Sequence, residues 1–295
     1  MKLLKKGDVI GLAATARFIE PKELSQFIQW IESKNLRVKF AKNIYEKYHQ
    51  FAGDDSFRLE SFQELLNDDS LSAIWIAKGG YGTTRIFNRI NWSNFIKNPK
   101  WIIGFSDITL LHLQLASLGL PSIHGDMPSR FNKVSLKNFE SILKILQDGF
   151  YEYEIPFNSP QNFQLSGKII GGNLSLIAHS VGNPKIQWSE KYLLFLEDLE
   201  EYYYHVDRMA IQLQNYSIFD PHKCKGVLLG SFTDMKDNEI PFGFTAYEIF
   251  SEKTLNPILC GLPFGHDYLN LAFIHNHDIN IQVNFDSLKI YQKYL

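Results

Sequence analysis

Trp101-Ile102-Ile103 runs directly into Gly104-Phe105-Ser106-Asp107-Ile108-Thr109, an apolar strand that stops at a glycine and gives way to a helix just beyond a serine. A hydroxyl at such a junction is lifted clear of the sheet. It also meets a helix N-terminus, where unpaired amides and the dipole favour negative charge. These are the physical requirements of a nucleophile elbow, although the sequence is not G-x-S-x-G. Ser106 followed by Asp107 is equally an ordinary helix-capping pair, so the junction alone leaves both roles open.

Upstream, strand and helix signals alternate. Val9-Ile10-Gly11-Leu12-Ala13-Ala14 is a continuous apolar run of the kind buried on both faces of a sheet. Pro21 opens a helix whose Leu24, Phe27, Ile28 and Ile31 form one apolar stripe. Strands at 38–41, 73–77 and 101–103 interleave with helices at 56–66, 83–89 and 107–118. This order predicts a parallel sheet covered by helices. Residues 151–165 hold Pro156, Asn158, Ser159 and Pro160 and few long apolar runs, the pattern of a linker. Beyond it, short strands at 168–170, 193–196, 227–229, 258–260 and 279–283 outnumber helices at 174–181, 208–214 and 246–253. The expected organisation is an N-terminal α/β domain over 1–150, a linker, and a mixed, β-rich domain over 166–295.

With 295 residues and a hydrophobic share of 45%, the chain has ample material for a buried core. Thirty basic against 32 acidic residues give a net charge of −2, so no basic footprint for nucleic acid or membrane surface exists. Cys224 and Cys260 form no CxxC pair and read as buried thiols of a reducing compartment. Lys5 and Lys6 precede an apolar run too short for a signal peptide, and no stretch is long enough to span a bilayer. A cytoplasmic chain is expected.

Other strand ends carry chemistry-bearing residues. Lys78-Gly79-Gly80-Tyr81-Gly82 follows a strand; it is either a tight turn or a loop whose amides cradle a ligand, and the Walker pattern is absent. Leu193-Leu194-Phe195-Leu196 leads to Glu197-Asp198, where a carboxylate can orient a histidine or simply face solvent. Pro263-Phe264-Gly265-His266-Asp267 places a histidine in a rigid loop, suited to a general base, though a lone histidine is more often structural. His275-Asn276-His277-Asp278 resembles metal-binding spacing only superficially, because no further ligand converges in the sequence. Glu200-Glu201-Tyr202-Tyr203-Tyr204-His205 reads as surface or interface.

Taken in order, these motifs resemble the LD-carboxypeptidase family, the murein tetrapeptide carboxypeptidases, with the microcin self-immunity peptidases as a branch. The resemblance starts at Lys6-Gly7-Asp8-Val9-Ile10-Gly11 and Phe51-Ala52-Gly53-Asp54-Asp55 with Arg58. It continues through Gly79-Gly80-Tyr81-Gly82 with Arg85, Gly104 to Thr109, His124-Gly125 and Gly171-Gly172-Asn173-Leu174. It ends at Leu196-Glu197-Asp198, Asp207-Arg208-Met209 and Gly265-His266. The resemblance implies a triad of Ser106, Glu197 and His266, with an oxyanion hole at the amides of Gly80 and Asp107. It implies a flavodoxin-like first domain, a smaller β-rich second domain, a cleft between them, a homodimer, and no metal or organic cofactor. The implied reaction removes the terminal D-alanine of a murein tetrapeptide at an L,D peptide bond.

A substrate carboxylate requires a cation, for which Arg130, Arg85 and Lys78 are the candidates. The chain departs from the family pattern at Ala14-Thr15, where Pro-Ser is usual, and at Asp126, where Pro usually follows His-Gly. Two other functions suit the same features: a self-immunity peptidase cleaving a peptidyl-nucleotide, which needs an aromatic platform for the base, and a non-enzymatic two-domain binding protein.

Overall fold

The computed structural model describes residues 1–188 and 191–294. The first half runs β1 (Val9–Ala13), α1 (Pro21–Ser33), β2 (Arg37–Phe40), α2 (Asp55–Leu66), β3 (Leu71–Ile76), α3 (Thr83–Phe87), β4 (Trp101–Gly104), α4 (Thr109–Ser117), β5 (Ser122–His124) and α5 (Leu136–Asp148). The second half runs β6 (Phe150–Pro156), β7 (Phe163–Asn173), α6 (Leu174–Ser180), β8 (Tyr192–Leu199), α7 (Tyr203–Asn215), β9 (Cys224–Thr233), α8 (Ala246–Lys253), β10 (Ile258–Leu259), β11 (Phe273–His275), β12 (Asp278–Val283) and β13 (Ser287–Lys293).

The apolar runs of the first half become the parallel strands of a six-stranded sheet, ordered β11-β5-β4-β3-β1-β2. Its helices form for local reasons. Pro21 sits in the first turn of α1, a Glu20/Glu23 capping box closes its start, and Leu24, Phe27 and Ile31 bury its inner stripe. Helix α4 is different: every residue from Thr109 to Leu115 is buried. A helix apolar on all sides belongs inside a molecule. Here Thr109 Oγ1 accepts the Asn173 amide at 3.0 Å, so α4 is tied to the second half.

The second sheet has seven strands, ordered β10-β9-β8-β7-β12-β13-β6. Strand β7 divides it. The later part of β7 pairs parallel with β8, while its earlier part pairs antiparallel with β12. The stretch 151–165, expected as a linker, instead supplies β6 and the start of β7. Tyr151, Tyr153 and Ile155 turn inward while Glu152 and Glu154 stay exposed, a period of two that Pro156 and Pro160 obscure. β6 is an edge strand, where a proline removes no needed ladder bond. A second departure is β11, which leaves the C-terminal half to pair antiparallel with β5 in the first sheet. The two halves therefore share a sheet.

Candidate active site

Strand β4 delivers Ser106. Phe105 is extended, with φ −155° and ψ −170°, and Ser106 then turns sharply to φ +61°, opening a 3-10 turn over Ser106–Ile108. A non-glycine residue in the left-handed region is strained and is held there by its surroundings. The holding groups are visible. The Asp107 carboxylate turns inward and accepts the Thr83 amide at 2.9 Å. Burial pushes the Asp107 carboxyl above its ordinary value, and the hydrogen bonds from Thr83 oppose that rise. The Asp107 amide stands in the first turn, where backbone N–H groups lack helical acceptors.

Strand β3 delivers the glycine loop beside it. Gly80 has φ +99°, and among the described residues its amide meets no backbone acceptor. Buried Arg58 donates to the carbonyls of Thr15 and Gly82 and pairs with Asp55. It thereby fastens the loop after β1 to the loop after β3.

Strand β8 delivers Glu197, which is fully buried. Strand β9 and the loop behind β10 bring His266 to it: His266 Nδ1 donates to Glu197 Oε2 at 2.6 Å. A carboxylate only accepts, so this bond fixes the proton on Nδ1 and leaves Nε2 as the basic nitrogen. Gly265 permits the approach. It has φ +116°, and a Cβ there would lie 2.5 Å from Ser231 Oγ and 2.9 Å from Glu197 Oε2.

Ser106, His266 and Gly80 line one cavity of about 530 Å³. No hydrogen bond joins Ser106 to His266 among the described residues; such bonds commonly close only when substrate is bound. A slightly larger cavity of about 600 Å³ is lined by Lys168, Lys191 and Lys225 and holds none of these groups. Size alone does not identify a reactive site, and the smaller cavity holds Ser106 together with the histidine that Glu197 binds.

The three sequence-derived cations separate. Lys78 lines the cavity but pairs with Glu23 at 2.9 Å. Arg130 lines it too, against Asp126 at 3.4 Å and donating to the Asp267 carbonyl at 2.8 Å. Arg85 is absent from the lining; it pairs with Asp55 at 2.8 Å and lies over Phe51. Of the paired histidines, His275 is buried and accepts the Gly171 amide at 3.0 Å. His277, on the surface, instead meets the Lys293 carbonyl at 2.8 Å. Among the described residues no group of three or more metal-ligating side chains converges.

Sequence reasoning missed a buried relay under the His266 loop. Asn138 Nδ2 donates to Asp126 Oδ2 at 2.9 Å, Asn138 Oδ1 accepts the Asn270 amide at 3.0 Å, and Asn270 Oδ1 accepts the Gly265 amide at 2.9 Å. The signal was present in Asp126, an acid at a position where the resembled family usually has proline. It also missed Arg17, which lines the cavity from the loop after β1. The rule that ligands gather at carboxyl ends of parallel strands pointed to that loop as well.

Residues 10–125 match the N-terminal domain of LD-carboxypeptidases, and residues 166–281 match their C-terminal domain. A Bacillus subtilis protein named "Probable murein peptide carboxypeptidase" is 33% identical, over 72% of this chain and 69% of its own length. The "Murein tetrapeptide carboxypeptidase" of Pseudomonas aeruginosa is 26% identical over 90% of each chain. The crystal structure of muramoyltetrapeptide carboxypeptidase from Oxalobacter formigenes superposes with a TM-score of 0.86, at 23% identity over 97% of this chain and 98% of that one, a likeness of fold. With both domains matched in order, the chain belongs to the LD-carboxypeptidase family.

Proposed function

We propose that this protein is a serine carboxypeptidase that hydrolyses an L,D peptide bond and releases the terminal D-alanine of a murein tetrapeptide. The observation that carries the reading is the 2.6 Å bond between His266 Nδ1 and buried Glu197, at the wall of the cavity that Ser106 also lines. In this reading residues 1–150 supply the nucleophile and residues 166–295 the acid and the base.

His266 Nε2 takes the proton of Ser106 as the hydroxyl oxygen attacks the scissile carbonyl. Glu197 keeps the ring in the tautomer that accepts there and stabilises the imidazolium that forms. The amides of Gly80 and Asp107 receive the developing oxyanion; one such donor is typically worth about 3 kcal/mol of barrier. The imidazolium then gives its proton to the departing D-alanine nitrogen. Water, deprotonated by the same ring, cleaves the acyl-enzyme and restores Ser106.

A peptidyl-nucleotide substrate needs an open aromatic face for its base. Phe105 is the one phenylalanine, tyrosine or tryptophan lining the cavity among the described residues, and it is already packed by His266 at 4.6 Å and Arg130 at 5.1 Å. This favours the peptide over the nucleotide. The family resemblance further supports a cytoplasmic homodimer acting on recycled wall fragments, which fractionation and light scattering check.

The deciding experiment incubates the protein with L-Ala-D-Glu-diaminopimelate-D-Ala and follows the products by mass spectrometry. Release of one D-alanine, abolished in folded Ser106→Ala, is expected. Turnover persisting in that variant overturns the nucleophile assignment.

A further inference from the structure

The cations proposed from sequence to hold the substrate carboxylate are neutralised or misplaced, and the structure points to a different one. We infer that Arg17 is the residue that recognises the free C-terminal carboxylate, and so restricts the enzyme to removing a single terminal residue. The inference rests on the carboxypeptidase reading above.

Charge pairing supplies the first reason. Lys78 is held by Glu23, and Arg85 by Asp55 outside the cavity. Arg130 already faces Asp126 and the Asp267 carbonyl, and its unpartnered nitrogen, Nη1, is buried. Lys133 also lines the cavity, but its ammonium is a point charge and lacks the planar fork that matches a carboxylate. Arg17 is exposed, and although Glu200 and Glu201 line the same cavity, no ion pair among the described residues holds its guanidinium as Lys78, Arg85 and Arg130 are held. A guanidinium with free donors presents the planar fork that binds a carboxylate bidentately.

Position supplies the second reason. When one residue leaves, its carboxyl carbon is three bonds from the scissile carbonyl carbon, roughly 3–4 Å away. The cation that reads it must therefore sit at the rim of the oxyanion hole. Arg17 does. A Cβ placed on Gly80 would lie 2.6 Å from Arg17 Nε and 2.7 Å from its Cδ, so the side chain rests directly on the glycine proposed to donate to the oxyanion. The absence of a side chain at Gly80 is what makes room for it. The loop that carries Arg17 is fixed, because Arg58 holds the Thr15 carbonyl and Thr15 Oγ1 lies 2.8 Å from Thr83 Oγ1.

The test compares two substrates, the tetrapeptide ending in D-alanine and the same peptide ending in D-alaninamide, on wild type, Arg17→Gln and Arg17→Lys. The wild type is expected to favour the acid by about 100-fold in kcat/KM, the size of a lost charge-assisted pair. Arg17→Gln should lose that factor on the acid, mainly through KM, and bring the two substrates within about 3-fold of each other. Arg17→Lys should recover part of the preference, because a point charge replaces the fork. Binding of the acid to Ser106→Ala, measured by calorimetry, should weaken to the same extent when Arg17→Gln is added. If wild type releases D-alanine and Arg17→Gln keeps its preference for the acid, this assignment falls and the carboxypeptidase reading stands. If wild type cleaves neither peptide, the carboxypeptidase reading itself falls and takes the assignment with it.

Discussion

At the scale of the residue, the pair Glu197-Asp198 shows how neighbours acquire opposite tasks. Successive side chains of a strand point to opposite faces. Glu197 meets His266, while Asp198 turns to the other side and accepts from Asn173 Nδ2 at 2.8 Å, the Ser175 amide at 2.9 Å and Ser175 Oγ at 2.7 Å. Asp198 thereby fixes the turn from β7 into α6. Burial, with the charge of adjacent Glu197, pushes its carboxyl up to about 6 in spite of those hydrogen bonds. In the unfolded chain the same group titrates near 3.9. Between these values the native state binds the proton and the unfolded state has released it. Stability therefore falls as pH rises from about 4 to about 6, and the cost, about 3 kcal/mol, is complete above that window. Asp198→Asn cannot ionise. Whatever constant penalty it carries from a misdirected amide, its stability relative to wild type should improve by about 3 kcal/mol between pH 4 and pH 7. Denaturant titrations across that range measure this, and a pH-independent difference would remove the idea.

At the scale of the element, α5 holds the loop that bears His266. The relay from Asp126 through Asn138 and Asn270 ends on the Gly265 amide, and Asn138 Nδ2 also donates to the Tyr268 carbonyl at 3.1 Å. Ser141 Oγ accepts the Ala272 amide at 2.9 Å one helical turn further on. Asp126, Asn138 and Ser141 arrive from the first half of the chain, whereas Asn270, Tyr268, Ala272 and His266 belong to the second. In the proposed mechanism the relay holds the His266 loop at the cavity that Ser106 also lines. Asn138→Ala leaves Asp126 Oδ2 and the Asn270 amide without their partner in a buried site, a cost of about 1–3 kcal/mol. A loop displaced by about 1 Å also costs roughly 100-fold in rate. We expect kcat to fall by about 10- to 100-fold with KM nearly constant, at temperatures where the variant remains folded. A variant that lost stability but kept kcat would show the relay to be a fastening of the fold with no bearing on His266.

At the scale of the whole molecule, the sequence made the first sheet legible because buried parallel strands are written as unbroken apolar runs; β1, β3 and β4 all have that form. The placement of Ser106 and Glu197 after such runs was legible for the same reason, while their roles were implied only by the family resemblance. Strand β6 was hidden by prolines that obscure the alternation of Tyr151, Tyr153 and Ile155 with Glu152 and Glu154. Strand β11 was hidden by its brevity, three residues whose pairing with β5 is a long-range event with no local signature. That hidden strand changes what a domain means here. One apolar core joins Ile10, Trp75 and Trp101 to Ile169, Leu193 and Phe273, and the other joins Phe105 and Ile108 to Ile170 and Leu194. Each core thus draws on both halves of the chain, and neither half can close its core alone. Independent domains each close a core of their own and permit separate melting. The chain should therefore unfold in a single transition, with calorimetric and van't Hoff enthalpies in agreement. A fragment ending at residue 150 should lack a cooperative transition, because it exposes β5 where β11 belongs and opens both cores. Scanning calorimetry of the two proteins measures this. Two resolved transitions in the full chain, or a cooperatively folded fragment, would mean that the shared sheet is an accessory contact and that the triad is assembled by docking of finished domains.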